Sequence, residues 1–146
     1  MACAKDKMKY QDLSDGEIVT KTLFGEARGE LIEAMVGVAN TIRNRVISPI
    51  TWWGNSYRTV CLKKWQFPCW NENDPNLPKI LNPSKQEEKI YYCCRTIAIL
   101  LMKDLLKENT GGATHYFDIS LKENPPKWIK EMTETAKIGR LFFYKT

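Results

Sequence analysis

The sequence predicts an α+β fold, mainly helical, with a small β element near its carboxy-terminal end. Three observations carry that expectation. Ser14-Asp15-Gly16-Glu17 and Ser84-Lys85-Gln86-Glu87 have the Ser-x-x-Glu pattern of a capping box, in which hydroxyl and carboxylate each take a free backbone amide at a helix start. Apolar residues from Ile32 to Val46 recur at helical spacing. Ala136 to Tyr144 alternates around Gly139, the pattern of a terminal hairpin.

The elements follow in order. A first helix opens at the Ser14 box and runs from about Asp15 to Phe24, burying Ile18, Val19, Thr22 and Leu23; Gly25 suits the left-handed residue that stops a helix. The second helix buries Ile32, Met35, Val36, Ala39, Ile42 and Val46 and ends before Ser48-Pro49. Residues Thr51 to Leu81 mix Trp52, Trp53, Tyr57, Trp65, Phe67 and Trp70 with Gly, Pro and Asn, and read as a long ordered loop, a feature that usually has a function. The Ser84 box then starts a long helix to about Glu108, with Ile90, Cys94, Ile97, Leu101 and Leu105 inward and Gly111-Gly112 as terminator. Ala113 to Asp118 is partly extended, and Pro125-Pro126-Lys127-Trp128 is a turn with prolines where a helix can begin.

Length and composition bound the rest. A chain of 146 residues with 43% hydrophobic and 27% charged residues suits one domain, taken here as 13–146 after an amino-terminal segment 1–12. No apolar run approaches the roughly 20 residues of a membrane span, so no transmembrane segment is expected. Met1 to Asp12 lacks the apolar block of a secretory signal. Net charge is +5, and no acidic residue lies between Glu33 and Glu72, where Arg43, Arg45, Arg58, Lys63 and Lys64 fall. Such a stretch attracts an anionic polymer, nucleic acid or a carboxylate-bearing wall, or is simply a solvated basic face.

The five cysteines are an odd number, which excludes a complete disulfide framework. Cys61 and Cys69 could close a short loop worth about 2–3 kcal/mol if oxidised, whereas a cytosolic route would leave them thiols. With one histidine, His115, and no Cys-x-x-Cys, no zinc site is expected.

Gly25-Glu26-Ala27-Arg28-Gly29-Glu30 joins the first two helices. A carboxyl projecting from such a junction into an apolar cleft gains a raised pKa and can protonate a leaving oxygen near neutral pH. Taken alone, Glu26 and Glu30 read more readily as surface partners of Arg28 and its neighbours. Further along stand Asn44-Arg45-Val46, Gln66-Phe67-Pro68-Cys69-Trp70, Gly112-Ala113-Thr114-His115-Tyr116, and Gly139 with Phe143-Tyr144. In this order the five segments resemble the cell wall hydrolase family related to spore-cortex lytic enzymes, over about Leu13 to Tyr144. Leu31 stands where that family often has Pro, Pro68 where it has Ser, and Phe117 where His is common.

The resemblance implies a lysozyme-like fold in which Glu26 faces a glycan groove and cleaves the bond between N-acetylmuramic acid and N-acetylglucosamine, with peptidoglycan as partner and no cofactor. Glu26 would protonate the glycosidic oxygen and then take the proton of the 6-hydroxyl of the same muramic acid, leaving a 1,6-anhydro end. Hydrolysis would need a second carboxylate, about 5–5.5 Å away as nucleophile or about 6.5–9.5 Å away to activate water; Glu30 and Asp118 are the candidates, with a structural pairing of Glu30 to Arg28 or Arg45 preferred. Gln66, Phe67, Thr114 and Tyr116 are expected in the groove, where amides and hydroxyls bind sugar substituents and aromatic faces stack on rings. Trp70 is either groove or core. His115 reads as a hydrogen-bonded structural residue rather than a thiol-protease partner of Cys69. The expected protein is a monomer, made in the cytoplasm and acting on the wall, through phage-type release as an endolysin or in the spore cortex. The competing classes are a wall- or nucleic-acid-binding module without catalysis, for which no nucleic-acid motif is visible, and a wall amidase or peptidase, which one histidine serves poorly.

Overall fold

The computed structural model describes residues 12–63 and 66–146. The expectations for the amino-terminal segment, for Lys64 and for Trp65 lie outside the described residues, apart from Asp12. Five α-helices precede a three-stranded sheet in the described chain: α1 (Asp15–Ala27), α2 (Ile32–Ile47), α3 (Tyr57–Leu62), α4 (Leu77–Leu81), α5 (Glu88–Met102), then β1 (His115–Asp118), β2 (Thr133–Ile138) and β3 (Leu141–Lys145). Short 3₁₀ turns connect them, among them Thr51–Trp53, Pro68–Trp70, Lys85–Glu87 and Lys127–Glu131.

Helix α1 is the centre of the molecule. It packs against α2, α3, α4 and α5, and every residue from Ile18 to Phe24 is buried. A helix enclosed on all sides must satisfy its polar side chains internally. Thr20 and Thr22 donate to the carbonyls of Gly16 and Ile18, each at 2.7 Å. Lys21 Nζ donates to the Ile80 carbonyl at 2.9 Å and lies over the Tyr91 ring, and burial pushes its pKa down. The Ser14 capping box forms in both directions, as its sequence requires.

Gly25 does not stop α1. The helix continues through Gly25 and Glu26 to Ala27, and Gly25 serves packing: a Cβ there would lie 2.7 Å from Cys69 Cβ and 2.9 Å from Ile80 Cγ2. Gly37 on α2 is similar, with the Phe143 ring of β3 2.5 Å from where its Cβ would be. That contact seats the sheet on α2. The sheet order is β1-β3-β2, both pairs antiparallel, with Gly139 at φ +58° in the turn joining β2 to β3. The expected hairpin is therefore present, and β1 adds the third strand.

Two expectations about helices need correction. The region 51–81 is not an irregular loop: Ser56 and Thr59 form a capping box that starts α3, and Pro78 sits at the start of α4. Its apolar residues also anchor it, since Val60, Cys61, Phe67, Cys69, Leu77 and Ile80 belong to the core. The Ser84 box, by contrast, fails. Its side chain makes no cap bond, the chain enters α5 through a 3₁₀ turn, and the helix ends at Met102 rather than near Glu108.

Asp104 explains that early stop. It takes φ +57°, the conformation that glycine or, less often, Asp and Asn adopt at a helix end. Leu105 N–H donates to Leu100 O at 2.9 Å and Asp104 N–H to Leu101 O at 3.1 Å, the paired bonds of a Schellman ending. Leu105 consequently lies outside at 69% exposure, and Ile90 is also exposed, while Cys94, Ile97 and Leu101 are inside as expected. Gly111 and Gly112, at φ +72° and +87°, turn the chain into β1 instead of ending a helix. Burial would raise the Glu108 pKa, but its carboxylate accepts from the Thr110 hydroxyl and from the amides of Thr110 and Gly112, which together hold it low.

Among the described residues, no helix is long and apolar enough to cross a membrane. Cys61 and Cys69 are free buried thiols, so the conditional disulfide is not formed; Cys94 is also buried and Cys93 partly exposed.

Candidate active site

Glu26 lies in the last turn of α1 and is mostly buried, and five elements bring groups toward it. Arg45 comes from α2, Cys61 from α3, Cys69 from the 3₁₀ turn, Tyr116 from β1, and Asp74 from the turn before α4. Burial pushes the Glu26 carboxyl up to about 7, the negative charge of Asp74 pushes in the same direction, and the Arg45 guanidinium opposes both. A carboxyl so placed is shared between its acid and base forms at neutral pH.

Arg45 is the pivot of this cluster. It is 6% exposed. Its Nε donates to the Thr114 carbonyl at 2.6 Å and its Nη1 to Gln66 Oε1 at 3.0 Å, and the guanidinium lies over the rings of Phe67 and Trp53. Its neighbour Asn44 donates to the Ala113 carbonyl at 2.8 Å. The last turn of α2 thus fixes the strand carrying Tyr116 and the segment carrying Gln66 at the same time.

Gln66 and Tyr116 are brought together around Arg45, and Tyr116 is coupled to Glu26 as well. The Tyr116 hydroxyl is enclosed although the residue as a whole is half-buried; burial first, then the Glu26 charge, raises its pKa well above the ordinary phenol value. Phe67 is a correction: at 2% exposure its ring is part of the core and supports Arg45 from beneath, leaving no face for a sugar. Thr114 differs as well. Its side chain is buried, its carbonyl receives Arg45 and its hydroxyl meets His115 Nδ1 at 2.9 Å, so it organises the cluster from behind.

His115 is edge-on to Trp53 and tilted against Trp128, and burial, assisted by Arg45, holds its pKa down to about 4. A neutral, ring-packed imidazole is a structural residue. Trp70 is both: it is packed in the core, donating from Nε1 to Thr22 Oγ1 at 2.8 Å, and its edge lines the groove that also bears Asp74. Glu30 pairs with neither Arg28 nor Arg45. It faces Asp118 and Arg140, and burial followed by the Asp118 charge raises its pKa. Asp118 is itself held by two bonds from Arg140 at 3.0 and 3.2 Å and one from the Ser120 amide. Of the two carboxyls suggested as second groups, Asp118 is therefore engaged by Arg140, and Glu30 lies in the field of that pair.

Asp74 was not legible in the sequence. It sits in Asn71-Glu72-Asn73-Asp74-Pro75-Asn76, a polar run with no pattern to single out one member. It lines an open groove of about 740 Å³ together with Lys63, Trp70 and Asn73. Arg45 did leave a signal: it falls on the buried stripe of α2 at helical spacing from Val38 and Ile42, where a charge is out of place unless it has work to do. Of the basic stretch, Arg45 turns inward, Arg43 pairs with Asp104 and Arg58 with Asp15, so those three form no common basic face. A second cavity, about 610 Å³ between α1 and α5, is lined by Ser14, Gly16 and Glu17. It lies at the opposite end of α1 from Glu26, roughly 15 Å away at helical rise. No group of three or more His, Cys, Asp or Glu side chains among the described residues is arranged to hold a metal ion.

A carboxyl poised at neutral pH, backed by a buried arginine and coupled to an aspartate that lines a groove, is the equipment of a glycoside-cleaving site. The profile of the cell wall hydrolase family matches residues 29–144, and the chain belongs to that family. Among solved structures it is similar to the catalytic domain of the germination-specific lytic transglycosylase SleB from Bacillus anthracis, at 25% identity and a TM-score of 0.68, over 92% of this chain and 98% of that one. The catalytic domain of the Bacillus cereus SleB protein follows at 24% identity and a TM-score of 0.64, covering 90% and 89%. A search of curated protein sequences returns no significant match. The fold is lysozyme-like, as the resemblance implied, and family and fold together make this an enzyme of peptidoglycan cleavage.

Proposed function

We propose that the chain is a peptidoglycan lytic transglycosylase that cuts between N-acetylmuramic acid and N-acetylglucosamine, with Glu26 as its single acid/base. The observation that carries this reading is the Glu26 carboxyl itself, buried at the end of α1 and pushed up to about 7. In the acid form it protonates the glycosidic oxygen as the bond to the anomeric carbon breaks. Arg45 then steadies the carboxylate so formed, since its charge favours the ionised state. The carboxylate takes the proton of the muramic 6-hydroxyl while that oxygen bonds to the anomeric carbon, which closes the 1,6-anhydro ring and restores the acid. No water enters. An internal hydroxyl held near the anomeric carbon has a large effective concentration, so one carboxyl suffices.

Gln66 and Tyr116 are the proposed substrate-side groups, an amide and an enclosed phenol beside the acid. Thr114 and Phe67 act one layer back, by holding Arg45. Asp74 supports one rival reading. Its charge is felt at Glu26, and if it activates water the enzyme is a muramidase hydrolase. Mass spectrometry of digested peptidoglycan decides. The expected products end in 1,6-anhydro-N-acetylmuramic acid, lighter by one water than hydrolysis products; predominantly reducing muropeptides would move the assignment to hydrolysis, and free peptides with intact strands would reject glycan cleavage.

A further inference from the structure

Arg28 stands at the end of α1, two residues past Glu26, and its guanidinium is spent in three directions. Nη1 donates to the Phe24 carbonyl at 3.2 Å, Nη2 to Asn76 Oδ1 at 2.8 Å, and Nε pairs with Glu87 at 3.0 Å. Its plane also lies against the Phe24 ring. Three separate parts of the chain meet on this one side chain: the last turn of α1, the turn before α4 and the entry to α5.

Asn76 extends the connection. While its side chain receives Arg28, its own backbone amide donates to Asp74 Oδ1 at 2.8 Å. The turn is closed by Asp74 N–H to Asn71 O and Leu77 N–H to Asp74 O, at 3.0 and 3.1 Å. A continuous path of hydrogen bonds therefore leads from the helix end that bears Glu26 to the carboxylate of Asp74. We propose that Arg28 is a positioning residue that acts through Asn76, tying the turn that bears Asp74 to the end of α1 and so fixing how closely the two carboxyls face each other.

Among the described residues, the groups whose charge couples to Glu26 are Asp74, Arg45, Tyr116, Cys61 and Cys69. Only Asp74 belongs to the turn that the Arg28–Asn76 bond holds. Releasing the tether lets Asp74 move out toward the groove it lines, and Glu26 then loses a like charge and becomes a stronger acid. A residue that merely stabilised the fold would lower the melting temperature without moving the titration of Glu26.

The inference rests on Glu26 being the acid, and the experiment separates the two. The Glu26 side-chain carboxyl is titrated by carbon-13 NMR, and the pH profile of wall lysis is recorded, for wild type, Asp74→Asn, Asn76→Ala, Arg28→Ala and Asp74→Asn/Asn76→Ala. Asp74→Asn should lower the midpoint by roughly one pH unit. Asn76→Ala, which keeps the backbone amide on Asp74 but cuts the tie to Arg28, should lower it in the same sense by less, and add nothing in the Asp74→Asn background. An Asn76→Ala midpoint equal to wild type, or a shift that persists without the Asp74 charge, overturns the proposal. Should Arg28→Ala fail to fold, Asn76→Ala decides alone. Lysis surviving in Glu26→Gln would sink the function instead, and the NMR titration would still report on the tether.

Discussion

Replacing Glu26 with glutamine should make the protein more stable as it makes it inactive. A carboxyl carried from an ordinary 4.5 to about 7 on folding holds its proton more tightly in the native state. Each pH unit of that difference is worth about 1.4 kcal/mol. Below pH 4.5 both states are protonated and nothing is lost; between 4.5 and 7 the unfolded chain has released its proton while the folded one has not, and stability falls as pH rises. Above pH 7 the full cost, about 3–4 kcal/mol, is present. Glutamine has the shape of the protonated acid and never ionises. Urea unfolding followed by tryptophan fluorescence should show Glu26→Gln more stable than wild type by about that amount near pH 7.5, with the gap closing near pH 4. Lysis of purified walls should meanwhile drop by about 10²–10⁴-fold, the usual contribution of a general acid. Equal stability at both pH values, or a gain that does not depend on pH, would refute the claim that Glu26 is held protonated by its surroundings. An active variant would refute its role.

Three further outcomes follow from the same cluster and its packing. Arg45→Met removes the cation that favours ionised Glu26, so the midpoint of its titration should rise, opposite to the effect of Asp74→Asn; carbon-13 NMR reads both, and the unpaired Gln66 amide and Thr114 carbonyl should also cost about 1–3 kcal/mol in chemical denaturation. Gly25→Ala forces a methyl against Cys69 and Ile80 and should destabilise by about 1–3 kcal/mol despite alanine's better helix propensity; a neutral or stabilising result in thermal melts would show that the contact relaxes freely. Under native conditions a thiol reagent should modify Cys93 well before Cys61, Cys69 and Cys94, as mapped by peptide mass spectrometry; early labelling of Cys69 would mean that the wall of the site opens.

The sequence made visible what local chemistry decides. A capping box and alternation around Gly139 are written in adjacent residues and present in the structure; the expected stripe on α2 holds at Met35, Ala39 and Ile42, while Ile32 is exposed and Val36 and Val46 are only partly buried. What failed was local reasoning about residues whose role is set at a distance. Gly25 looks like a helix stop until Cys69 and Ile80, far along the chain, occupy the space of its side chain. Ser84 and Glu87 have the spacing of a cap, yet Glu87 is drawn to Arg28. Asp104 ended a helix that the apolar pattern carried further, because Leu105 looks like core and points outward. For the site, the motif that carries Glu26 was found through resemblance; Gln66 is bonded to Arg45, and Tyr116 is coupled to Arg45 and Glu26. Phe67 was placed in the groove on its aromaticity, although the same apolar ring is equally fit for the core, where it is. Asp74 left no trace because a carboxylate in a polar turn acquires meaning only from what folds against it.

The burial of the middle of α1, from Ile18 to Phe24, has a consequence for how activity is lost. A carboxyl on a surface loop can go astray while the rest of a protein stays intact. Here the helix leading to Glu26 packs against four other helices, and it cannot shift without undoing those contacts. Its amides should be among the slowest to exchange with solvent, released only with global unfolding. Damage that spares the fold should spare the acid, so heat or denaturant should extinguish catalysis and structure along a single curve.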